Sequence, residues 1–115
     1  YIDDIVTGVI ACADKPTCAD PSFDTAAPDP ATSWAPHRLF NIGNSQPVQL
    51  LYFIDLLERA LGRQAIRDLR PMQPGDVEAT AADTSLLEAW VGFRPSTSIE
   101  VGVERFARWY QASYV

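Results

Sequence analysis

A chain of 115 residues is one domain's worth, able to bury roughly 65% of the surface its unfolded form exposes, and its 47% hydrophobic and 21% charged residues are a globular composition. Nine Lys and Arg against fifteen Asp and Glu leave a net charge of −6, which argues against the basic patch that a nucleic-acid or anionic-membrane surface needs. No apolar run reaches the ~20 residues of a membrane span, and two cysteines with one histidine are too few for a zinc site or a disulfide framework.

Tyr1-Ile2-Asp3-Asp4 opens mid-pattern, without a leading Met or a signal-peptide pattern. Ile2, Ile5, Val6, Val9 and Ile10 fall at i, i+3, i+4, i+7 and i+8, the stripe of an amphipathic helix. A helix already amphipathic at its first residue is expected in a piece cut from something longer. Cys12 and Cys18 are expected as reduced thiols of a cytoplasmic protein, with a local Cys12–Cys18 bridge as the alternative. Residues 14–37 hold Pro16, Pro21, Pro28, Pro30 and Pro36 among Asp, Ser, Thr and Ala, a Pro-rich surface loop longer than the ~12–15 residues at which unstructured loops become uncommon.

Residues 38–43 read as a short strand closed by Gly43. Ser45 is the expected N-cap of a helix whose apolar face is Leu50, Ile54, Leu57 and Leu61, and Gly62 is its stop. Residues 64–70 read as a second strand, weakened by Arg67 and Asp68. A further short strand precedes Asp83, which caps a short helix through Trp90 that ends at Gly92. Thr97-Ser98-Ile99-Glu100 reads as a capping box, Glu100 reaching back to the cap, before a last helix striped by Ile99, Val103, Phe106 and Tyr110. The predicted class is α/β, without internal repeats.

Catalytic motifs are absent from this pattern. Tyr1-Ile2-Asp3-Asp4 matches the Tyr-x-Asp-Asp box of reverse transcriptases, but two acids at a helix start are already favoured by the helix dipole. Gly43-Asn44-Ser45-Gln46-Pro47 nearly spells a hydrolase nucleophile elbow, with Pro47 in place of its closing glycine. Glycines at 8, 43, 62, 75, 92 and 102 make neither a dinucleotide fingerprint nor a P-loop. The only lysine, Lys15, follows Ala11 by four residues, so no Tyr-x-x-x-Lys pair exists. His37 reads as a solvated loop side chain. No catalytic residue and no metal ligand set is expected in 1–115. One carboxylate stands out: Asp76, directly after Pro74-Gly75, where it either stabilises the turn or presents an acceptor to a ligand.

Taken in order, Tyr1-Ile2-Asp3-Asp4-Ile5-Val6, Phe40-Asn41-Ile42-Gly43-Asn44, Pro71-Met72-Gln73-Pro74-Gly75-Asp76-Val77, Ala82-Asp83, and Gly92-Phe93-Arg94-Pro95 through Trp109-Tyr110 form a series. The series resembles the C-terminal, substrate-binding part of an extended short-chain dehydrogenase/reductase, and within it the UDP-glucuronate 4-epimerases. The resemblance covers nearly the whole chain and is weakest over 13–37.

It implies that residues 1–115 are a sugar-nucleotide-binding domain lacking the Rossmann domain that carries NAD and the Tyr-x-x-x-Lys pair. The chain would then be inactive alone, part of an enzyme converting UDP-glucuronate to UDP-galacturonate for cell-surface polysaccharide. It further implies that Asp76 accepts hydrogen bonds from the UDP ribose hydroxyls and that Gln73 lies against the same nucleotide. No cofactor is expected in this part, with NAD implied for the full-length enzyme. Full-length relatives are expected as homodimers, and the chain alone is expected to associate weakly with UDP-sugar and to self-associate. Two departures stand out. Gln73 occupies a position where the wider family often has arginine. Glu78 adds a negative charge beside an anionic ligand, which Arg70 could offset if it is not simply a solvated side chain. A free-standing UDP-sugar or protein-binding module, and a related NAD-dependent sugar dehydratase or decarboxylase, are the alternatives.

Overall fold

Four helices carry the regular structure. The computed structural model describes residues 1–114, so the last residue of the expected domain lies outside the described residues. The helices are α1 (Ile2–Asp14), α2 (Leu50–Leu61), α3 (Ser85–Val91) and α4 (Ile99–Tyr114). Among the described residues no strand forms. Among these residues the β-pairing is limited to an isolated antiparallel bridge between Thr32 and Arg38.

The α/β expectation is therefore corrected to a helical arrangement, and the reason is physical. A strand is stabilised by its ladder partner, not by its own sequence. Leu39 gives its N–H to Ala31 O (3.0 Å), and Ala65 gives its own to a Glu58 carboxylate oxygen (2.9 Å). Ile66 and Leu69 are 102% and 77% exposed, so the apolar residues that suggested a strand over 64–70 meet no neighbouring strand.

The chain divides into two units, one of Tyr1, 46–81 and 97–114, the other of 2–45 and 82–96. In the first, α2 packs on α4, and Val103 and Ala107 of α4 are buried. The cap of α2 is Gln49, in extended backbone and without a side-chain cap bond, and not Ser45. Four residues including Pro47 separate Ser45 from the helix, and Leu50, expected in the apolar face, is mostly exposed. Gly62 ends α2 at φ 66°, its N–H on Glu58 O. At α4 the cap is shifted by one residue. Ser98 Oγ accepts the Val101 N–H (3.4 Å), while Glu100 accepts the Tyr52 hydroxyl (2.7 Å) and so ties α4 to α2. That hydroxyl, then Ser98's, holds the Glu100 carboxyl below its usual range.

In the second unit α1 packs on α3. Gly8 is buried where Ile42 and Phe93 come down on the helix: a Cβ there would lie 3.2 Å from Ile42 Cδ1 and 3.4 Å from Phe93 Cε1. Leu87 is fully buried, a burial that contributes about 1.5–3 kcal/mol. The N-cap of α3 is Thr84, without a side-chain cap bond, and not the expected Asp83. Asp83 Oδ1 accepts the Ser85 N–H (2.9 Å) from one residue further out and so still satisfies an orphan donor at the helix start. The stripe on α1 is not a core: Ile2, Val6, Val9 and Ile10 are all exposed.

The Pro-rich loop is ordered by its aspartates. Asp20, Asp24 and Asp29 each accept the N–H two residues on (2.8–2.9 Å). The carbonyl of each also accepts the N–H three residues on, closing three turns at Phe23, Ala27 and Thr32 (3.2–3.3 Å). Trp90 holds the loop's ends, with Lys15 Nζ 4.7 Å and the Arg38 guanidinium 5.3 Å from its ring centroid.

Candidate functional site

Gln73, Pro74, Gly75 and Asp76 form a closed turn in the unit built on α2 and α4. Asp76 donates its N–H to Gln73 O (3.1 Å), and Gly75 sits at φ 91°. Proline at the second position and a positive-φ glycine at the third are the requirements of a type II turn. Both predicted site residues are thus brought together at the two ends of one turn. Every residue from 62 to 81 is exposed, so the turn is open to a ligand. Asp76 Oδ1 accepts the Val77 N–H (2.9 Å), which fixes the carboxylate to the backbone beyond the turn. A carboxylate offers about four acceptor positions, so one such bond leaves capacity for a diol. The Arg70 guanidinium is engaged by Asp68 at 2.6 Å, and both side chains are exposed.

The other motif segments make a scaffold. Asn41 Nδ2 donates to Asp83 O (3.4 Å), and Arg94 Nη2 donates to Ser45 Oγ (3.1 Å). A Cβ on Gly43 would stand 3.1 Å from Ala82 Cβ. Ile42 and Phe93 meet over Gly8. Residues 40–45, 82–83 and 92–94 therefore hold one another together, which explains Ser45 without any nucleophilic role.

Sequence reasoning missed an ion-pair bridge that precedes the turn in the chain. Arg67 Nη2 donates to Asp55 Oδ1 (2.5 Å) and Glu58 Oε2 (2.8 Å), two acids three residues apart on α2. The Ala65 N–H first, then Arg67, hold the Glu58 carboxyl below its ordinary range. The two carboxylates, Asp55 foremost, raise Arg67 above its own. Beside the bridge lies an open groove of about 480 Å³ lined by Asp55, Glu58, Arg59, Gly62, Arg63 and Gln64. The available signal was the i, i+3 spacing of Asp55 and Glu58 ahead of an arginine-bearing segment, though Arg59 and Arg63 offered themselves as partners as readily as Arg67.

Gly8 and Gly102 lie inside helices, Gly62 and Gly92 end them, Gly75 makes the turn and Gly43 packs on Ala82, so each glycine has a structural place. Among the described residues no cluster of His, Cys, Asp and Glu could hold a metal ion, and both cysteines are free. No helix is long and apolar enough to cross a membrane.

No family model matches the chain. An uncharacterized 37.6 kDa protein of Escherichia coli O111:H- is 45% identical over 114 residues, covering 99% of this chain and 34% of that protein. A probable UDP-glucuronate 4-epimerase of Rhizobium meliloti is 43% identical over 118 residues, again 99% of this chain and 34% of the relative. The chain is homologous to the C-terminal part of the UDP-glucuronate 4-epimerases. It spans about a third of the length of these relatives. In three dimensions this epimerase homologue superposes on the crystal structure of UDP-glucose 4-epimerase from Bifidobacterium longum, in complex with NAD+ and UDP. The TM-score is 0.68 at 21% identity, over 96% of this chain and 28% of that one. That likeness is one of fold.

Proposed function

We propose that the chain supplies the nucleotide-holding part of a nucleotide-sugar 4-epimerase acting on UDP-glucuronate, and that the Gln73–Asp76 turn receives the ribose of UDP. The observation that carries the reading is the turn itself: a positive-φ glycine, a free-standing exposed loop and a carboxylate with unused acceptor positions. Sequence kinship to a probable UDP-glucuronate 4-epimerase supports the substrate class. In this reading NAD and the proton-transferring pair belong to another part of a longer cytoplasmic enzyme serving polysaccharide synthesis. The exposed stripe of α1 is then a face which that part covers. The chain alone binds UDP weakly and turns over nothing.

The test is a titration of the isotopically labelled chain with UDP, followed by amide chemical shifts. The expected result is saturable movement of Gly75, Asp76 and Val77 with a Kd on the order of millimolar. Asp76→Asn should abolish it over the same range, because weakening two hydrogen bonds to a charged acceptor costs roughly 2–4 kcal/mol. Unchanged binding by the variant would return Asp76 to a turn-forming role.

A further inference from the structure

The proposed ribose turn stands within a long exposed segment, residues 62–81, and something must decide where it stands. Among the described residues, the hydrogen bonds of 68–81 are all local: Arg70 to Asp68, Asp76 N–H to Gln73 O, and Val77 N–H to Asp76. None reaches a helix. Just upstream, two bonds do. Ala65 N–H and Arg67 Nη2 both close on α2, through Glu58 and, for Arg67, Asp55 as well. One guanidinium nitrogen thus spans two carboxylates on successive turns of a helix that is itself packed on α4.

We propose that Arg67 is a positioning residue for the nucleotide-binding turn, clamping the segment to α2 so that Gln73 and Asp76 are presented at a fixed place. The proposal rests on the functional reading above. Stability is a poor explanation for the clamp. Side chains 19% to 41% exposed form ion pairs that contribute little to a fold. Their effect on a tethered loop is different. Releasing the clamp multiplies the places the turn can occupy, and apparent affinity falls by the fraction of time it spends in the competent one.

The experiment compares the chain with Arg67→Ala, Arg67→Lys and Glu58→Gln by backbone heteronuclear NOE and by UDP titration. Arg67→Ala is expected to lower the NOE of residues 73–77 and to weaken UDP about five- to tenfold, while helix content stays unchanged. Arg67→Lys restores part of both, since it keeps the charge but not the planar fork. Glu58→Gln, which keeps an acceptor for Ala65, loses part of both and serves if Arg67→Ala does not fold. Equal NOE values at 73–77 in the chain and in Arg67→Ala overturn the proposal, as does lowered NOE with unchanged UDP affinity. The two readings fail separately. No UDP-dependent shift at 75–77 in the unsubstituted chain sinks the ribose assignment, and the NOE comparison still decides whether Arg67 fixes the turn.

Discussion

Replacing Gly75 with alanine isolates the conformational part of the proposed site. No heavy atom lies within 4 Å of where the new Cβ would stand, so the substitution meets no steric obstacle beyond its own backbone. The cost comes from φ 91°, a region that L-residues with a side chain avoid at roughly 1–2 kcal/mol. The segment is exposed throughout and its other bonds are local, so the turn relaxes to another geometry and the helices lose nothing. Melting temperature should therefore stay put while UDP affinity falls about 5- to 30-fold, the equivalent of that free energy. Gly92→Ala is the matched control. It carries the same kind of strain (φ 69°) in equally open space, but it ends α3, so melting should fall by several degrees with UDP affinity unchanged. Thermal circular dichroism and the UDP titration read both. Gly75→Ala binding UDP within twofold of the unsubstituted chain would refute the claim that turn geometry presents Asp76.

Two further outcomes follow from burial and charge. Leu86 and Leu87 are adjacent on α3 but 56% exposed and fully buried respectively, so urea unfolding should show Leu87→Ala costing about 3 kcal/mol and Leu86→Ala under about 1 kcal/mol; equal losses would mean the core is elsewhere. The Glu58 carboxyl is held below its ordinary range, with Ala65 N–H and Arg67 favouring the anion and desolvation, then Asp55, opposing. Its bonds should therefore be complete above the ordinary glutamate value of about 4.3 and be lost only as pH falls through the depressed one. The Ala65 amide shift reports the midpoint, and a midpoint at or above the free-glutamate value would contradict the geometry.

What was legible in the sequence was what is decided locally. Gly62 and Gly92 end helices because an αL residue is needed there, and the Asp83 carboxylate reaches the N–H two residues on at the start of α3, although the cap position itself falls to Thr84. The Pro-Gly turn before Asp76 is local in the same way. Partnership was not legible. Residues 38–43 and 64–70 have strand-like composition, yet a strand needs a second chain segment at hydrogen-bonding distance, and the described residues supply none beyond the Thr32–Arg38 bridge. Ser45 looked like a cap because it is a serine ahead of an apolar face, and Arg94, 49 positions later, gives it a different partner. Arg67 read as a flaw in a strand because its value lies in two acids of another element.

The three aspartate-led turns between Asp20 and Thr32 have an evolutionary corollary. The Asp24 turn closes its carboxylate and carbonyl bonds within four residues, whereas Asp20 also gives its N–H to Ser33 O (2.9 Å) and pairs with Arg38 (3.8 Å), and Ala31 O of the Asp29 turn accepts the Leu39 N–H (3.0 Å). A turn closed like that of Asp24 can be gained or lost without orphaning a backbone group, provided the loop's ends stay pinned by Lys15 and Arg38 on Trp90. Length in this loop is therefore free to change at the Asp24 turn, while Asp20, the Asp29 turn and the Trp90 ring are the positions such change must spare.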